Sequence, residues 1–375
     1  MRHTSPLALL AGTLVLAACS STPAPKTETA MPTAVETPNP LLAPWTGPYG
    51  GVPPFDSASV ATLGPAMEAA MAGELAEIDA IANNPEPPTF ENTIAALERA
   101  GRAKDRVDTV YGIYSSSLAT PEFQALEREM EPKLAAHRDR IVQNEPLFRR
   151  IEAVYSSPEK ASLTPEQQRL LWLRYTNLVL AGAKLGPGDK QRVAAINQRL
   201  ASLYTAFSQN VLADEEHQFV VLQDEADLAG LPKGFLTSAG AAATDHGMAG
   251  KWLVLNTRSS VEPFLTYSDR RDLRKQVFDR FVQRGDEGDE HDNNAIIPEI
   301  LALRAERAKL LGFETHAHWR LQNTMAKTPE RTLELMEAVW APAVARVREE
   351  VADMQAIADA EGHLSPANVF APPHR

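Results

Sequence analysis

Nine histidines are the side chains best suited to hold a metal or move a proton, and no two stand four positions apart. Four positions is one helical turn, the spacing that aims two imidazoles at one Zn²⁺. The 375 residues therefore contain no His-Glu-x-x-His motif for a zinc hydrolase. The nearest cluster is Glu314 with His316 and His318. On a helix, residues two apart point nearly opposite ways, so these rings read as a solvated helix start after Gly312 rather than a metal site. The acidic run from Gly285 to Asn294 suggests calcium, but an EF-hand loop counted from Asp286 would put His291 where Gly is needed and Ile297 where Glu is needed. It reads as a solvated loop ending in a helix cap at Asp292. Glu215, Glu216 and His217 are expected at the start of a strand, where neighbouring side chains face opposite ways and stay surface charge. No Gly-x-Ser-x-Gly elbow or phosphate loop occurs. Trp45, Tyr49 and Phe55, set among prolines and glycines, are expected to pin an amino-terminal tether to the body, an aromatic peptide-binding lip being the other reading.

The elements that must carry these residues are helical. Thr-Pro-Glu occurs at Thr120, Thr164 and Thr328, each time before a run with apolar residues at intervals of three or four. Thr accepts from an orphan backbone N–H, Pro loses nothing at the first helical position, and Glu suits the positive helix start. Further amphipathic runs carry Val193, Ile196, Leu200, Leu203, Phe207 and Val211; Asp292 to Gly312, which Gly312 stops; and Pro329 to about Ala360. Pro132 predicts a kink or break, and Pro342 a bend. His217–Leu222 and Lys251–Leu255 read as a small strand pair. The fold class is mainly α, a multi-helix body with a small α+β insertion near residues 214–258.

Composition bounds the function. With 44% apolar residues the chain has ample core, and a formal charge of −12 without clustered Lys and Arg disfavours nucleic acid. Residues 1–18 form an export signal, with Arg2 before an apolar run from Leu7 to Ala18 that is too short for the ~20 residues of a spanning helix. Leu16-Ala17-Ala18-Cys19 resembles a bacterial lipobox, which makes Cys19, the only cysteine, the expected lipidation site. Residues 19–44, rich in Pro, Ala and Thr, read as a tether. Ser20 after the cysteine resembles an outer-membrane sorting signal. The expected address is thus the cell envelope, lipid-anchored on the periplasmic side of the outer membrane.

Four blocks carry a family resemblance: Asn83-Asn84-Pro85-Glu86-Pro87-Pro88-Thr89-Phe90-Glu91-Asn92-Thr93; Pro132-Lys133-Leu134-Ala135-Ala136-His137; Phe207-Ser208-Gln209-Asn210-Val211-Leu212; and Leu303 to Phe313 continuing through Ala326-Lys327-Thr328-Pro329-Glu330. Together they resemble the amino-terminal part of the thimet-oligopeptidase family of zinc peptidases, most nearly its bacterial peptidyl-dipeptidase branch, over residues 45–362. The resemblance implies a helical lobe of a two-lobed channel enzyme that admits short peptides and removes dipeptides from free carboxyl ends. It also implies zinc in the intact family, held by a motif in the carboxyl-terminal half. No position here matches that motif, so no catalytic or metal residue is assigned, no zinc is expected on this chain, and a catalytic lobe is expected to be missing. Residues 363–375 resemble nothing in the family and read as an out-of-frame tail, the genuine terminus of a short paralogue being the other reading. The rival expectation is a non-catalytic helical lipoprotein that binds peptides or a partner.

Overall fold

A computed structural model describes residues 39–360. The signal at 1–18, Cys19, most of the tether and the tail at 363–375 lie outside the described residues. The described chain is mainly α, as its sequence implies. The helices in order are α1 (Val60–Ala82), α2 (Ala96–Arg99), α3 (Arg102–Ser117), α4 (Pro121–Val142), α5 (Glu145–Ser156), α6 (Pro165–Leu180) and α7 (Pro187–His217). Then come β1 (Val220–Leu222), α8 (Lys233–Asp245), β2 (Trp252–Val254), α9 (Arg258–Tyr267), α10 (Arg271–Val282), α11 (Ile296–Leu310), α12 (His316–Leu321) and α13 (Pro329–Ala360). No described helix is long and apolar enough to cross a membrane.

The three Thr-Pro-Glu starts behave as their chemistry requires. Thr120 accepts from Phe123 N, Thr164 from Gln167 N, and Thr328 from Arg331 N. At the far end of α11, Gly312 takes φ +83°, and Phe313 N reaches back to Ala308 O at 2.8 Å, closing the helix with a left-handed residue that only Gly adopts cheaply. Both long helices run unbroken through their prolines, so the break suggested by Pro132 does not occur. One missing amide donor is tolerated when the flanking turns remain bonded.

Two clusters make the core of the first half. Leu63, Met67 and Ala70 of α1 meet Val107 and Tyr111 of α3 and Phe123 and Met130 of α4, and Leu41 joins them from the Pro- and Ala-rich stretch. Ile78 and Ala82 meet Leu147, Ile151 and Val154 of α5 and Leu171 of α6. On α7, Ile196, Leu200 and Leu203 pack against Ile300 of α11, while Phe207, expected on that face, is exposed. Two bidentate forks, Arg192 to Glu306 and Arg199 to Glu299, run along the solvent side of the same α7–α11 contact.

The strand pair is antiparallel, with Val220 opposite Val254 and Leu222 opposite Trp252, and is shorter than its sequence suggests. His217 belongs to the last turn of α7, which corrects its expected place in a strand along with that of Glu215 and Glu216. The helix persists because Asp214, 1% exposed, accepts Gly285 N at 2.6 Å and anchors the last turn. The α+β part also reaches beyond residue 258, since Val261, Phe264, Leu273 and Val277 complete its core. Helix α11 starts at Ile296 rather than Asp292, because Asp292 turns back to accept Gly288 N and Asn294 N.

Candidate functional site

Three of the four blocks that carry the family resemblance prove to be structural joints. Arg150 of α5, 7% exposed, donates from Nη1 to the carbonyls of Asn84 and Glu86 at 2.8 and 2.9 Å. Its Nη2 donates to Asn92 Oδ1 at 2.9 Å and, at 3.4 Å, to Thr93 Oγ1. Asn92 and Thr89 also cap each other reciprocally, and Glu159 accepts Phe90 N. The Asn-Asn-Pro string is thus a turn clamped by a planar fork of donors, the geometry for which Arg is suited.

Two further blocks act in the same way. His137, 4% exposed, meets Glu74 of α1 at 2.6 Å through Nε2, and that contact holds the Glu74 carboxyl below its usual range. Gln209 of α7 donates to the carbonyl of Gln124 and to Glu127 of α4, and Asn210 donates to Asn293 in the loop before α11. These bonds fasten α1, α4, α7 and α11 into one frame.

The sequence candidates do not converge. His316 and His318 part as expected for residues two apart. His318 lies near Glu330 and Glu314, at 3.5 and 3.9 Å, and shares a 2.8 Å bond with Thr315. His316 opens α12, is half-buried and packs edge-on against Trp319; burial, then the charges of Arg304, Arg307 and Arg320, push it down to about 4. Histidine held this way is neutral at physiological pH. The acidic loop folds on itself, with Asn294 donating to Asp286 and Asn293 N donating to Gly285 O. Trp45 packs against the first core, but Tyr49 is wholly exposed and Phe55 is about half exposed, so only Trp45 pins the chain.

Among the described residues no group of three or more His, Cys, Asp and Glu could hold a metal ion. Zinc with the family's ligand set does not fit these residues, which offer no two imidazoles one helical turn apart.

What the structure does present is a long uncovered face. Leu333, Met336, Trp340, Val347, Val351 and Met354 follow one another along α13 at helical spacing and are 39–71% exposed. Spacing alone suggests a core-facing stripe. The described residues provide no cover for it.

Comparison with known proteins gives the stripe a context. Residues 264–370 match Peptidase family M3, which carries the family pattern past Gly362 into the segment expected to match nothing. The chain is 35% identical over 321 residues to a dipeptidyl carboxypeptidase of Escherichia coli (strain K12), covering 86% of this chain and 47% of that protein. It is 31% identical to a probable cytosolic oligopeptidase A of Arabidopsis thaliana, covering 83% of this chain and 45% of that one. Against an oligopeptidase A of Salmonella typhimurium the identity is 29%, with 86% and 47% covered. The chain spans about half the length of the curated relatives it matches. A sequence that keeps this likeness over nearly its whole described length, and whose later part matches the family model, is similar to peptidase family M3 and, within it, to dipeptidyl carboxypeptidases.

Proposed function

We propose that these residues form the amino-terminal, substrate-admitting wall of a zinc-dependent peptidyl-dipeptidase acting on short peptides, and that this span by itself hydrolyses nothing. The observation that carries the reading is the α13 stripe, which in this family would be covered by the portion of the relatives' length that the chain does not match. Supporting it, three of the blocks that carry the resemblance act as joints between helices, and the His pair that would grip zinc is absent from the 375 residues. Apolar rows of this size are rarely left wet in a soluble monomer.

The test is metal content and hydrolysis in one preparation of the full chain. Expected are no stoichiometric zinc and no dipeptide released from an amino-blocked oligopeptide. Dipeptide release that a chelator stops and zinc restores would sink the reading.

We propose as well that Cys19 is lipidated and holds the chain to the periplasmic side of an outer membrane. Support comes from Leu16-Ala17-Ala18-Cys19 and from Ser20. Cys19→Ser should move the chain from the membrane fraction to the soluble fraction and abolish labelling by a radioactive fatty acid. Equal labelling of the variant and the unaltered chain would overturn it.

A further inference from the structure

The spacing of the exposed row on α13 reads the same from either end. Leu333, Met336, Trp340, Val347, Val351 and Met354 are separated by 3, 4, 7, 4 and 3 positions, mirrored about a midpoint between Ala343 and Val344. A two-fold interface brings the same patch of two copies together, so that a residue meeting another is matched by the reverse contact. Two α13 helices laid antiparallel over that midpoint meet the condition. Leu333 falls opposite Met354, Met336 opposite Val351 and Trp340 opposite Val347, each pair occurring twice.

The helix leaves space for such a partner. At the crossing the side chains are Ala343 and Val344, short enough for the axes to approach to about 8–10 Å. Pro342, two positions past Trp340, lies nearly opposite the row and does not interrupt it. Within α13 only Ala358 is buried. Six side chains at 39–71% exposure in each copy would bury on the order of 1,200 Å² in total, the low end of a stable interface.

Charge favours the antiparallel direction. Glu337 and Arg348 flank the row on the same side. With the helices antiparallel, Glu337 of one copy lies about 3 Å along the axis from Arg348 of the other, and the contact occurs twice. In a parallel pair each would face itself, Glu337 on Glu337 and Arg348 on Arg348. Arg346 bonds Glu349 and Glu350 of its own helix, which leaves Arg348 as the basic residue beside the row.

We propose that α13 is a homodimer interface, in which two copies of this chain pair antiparallel through the row with Glu337 against Arg348 on either side of the crossing. The proposal rests on the same uncovered row as the peptidase reading and names what covers it in a preparation of this chain alone.

The test is sedimentation equilibrium of the full chain carrying Cys19→Ser, which removes association through acyl chains. A reversible dimer with a dissociation constant at or below about 10 μM is expected. Glu337→Arg should weaken it at least about tenfold, because like charges then meet at two symmetric places, and adding Arg348→Glu should restore it. Both residues are exposed, so neither change should move the thermal midpoint. Oxidation of single cysteines in the same background reads the direction: Ala343→Cys should cross-link to its own counterpart, and Met336→Cys only when mixed with Val351→Cys. A monomer at about 100 μM, an open-ended oligomer, Met336→Cys linking to itself, or a double charge reversal that leaves the dimer weak would each overturn the proposal. A monomer that binds an apolar dye would do so with the peptidase reading intact, whereas a monomer that binds none would take the row away from both.

Discussion

Replacing Arg150 with methionine is expected to destabilise the folded chain by about 3–5 kcal/mol. The guanidinium is buried and serves four acceptors, the carbonyls of Asn84 and Glu86 and the side chains of Asn92 and Thr93. Methionine fills similar space, so the loss would come from orphaned acceptors rather than from a cavity. Each buried acceptor left without a donor costs about 1–3 kcal/mol, and relaxation of the turn recovers part of the sum. Lysine should rescue incompletely, because one ammonium cannot reproduce a planar fork reaching two carbonyls on one side and two side chains on the other. Urea denaturation of the three proteins is the measurement. A loss below about 1 kcal/mol for methionine, the size of one ordinary hydrogen bond, would mean that the Asn-Asn-Pro turn is held by its prolines and its own cap instead.

The second large effect is on association, with folding left alone. Met336, Trp340 and Val347 are 60%, 71% and 54% exposed on α13, so changing all three to glutamate should leave the thermal midpoint nearly unchanged, as surface substitutions usually do. Burying side chains of this kind yields about 1.5–3 kcal/mol each, so any covering partner should bind more than about a thousandfold more weakly to the triple variant. In the isolated chain the same row should bind an apolar fluorescent dye and promote self-association. Both should fall away in the variant, measured by dye titration and light scattering. A triple variant that melts well below the unaltered chain would place the stripe against the body and remove the main support for a covering lobe.

Much of the frame is legible from local rules. Thr120, Thr164 and Thr328 cap the helices they precede, and Gly312 ends α11, because caps and stops are decided within a few residues of chain. The strand pair can be located from its residues but not bounded, and local pattern puts His217 on the wrong side of the boundary. What keeps it helical is the bond from Gly285 N to Asp214, between groups 71 positions apart. The same limit hides Arg150 and its turn. Periodicity reports which face of a helix is apolar and not whether anything lies against it. Phe207 and the α13 row therefore read as core from their spacing yet are exposed.

The uncovered helix also fixes an order of events. The clusters that build the body draw on residues from Leu41 to Ile300 and none from α13. The body can therefore close while the last 32 residues of the described chain are still undocked. A helix of that length reaches about 48 Å and would open and reform with little regard for the global transition, since its amides are guarded by one turn of neighbours rather than by a packed interior. On a ribosome it would emerge only after its support is finished.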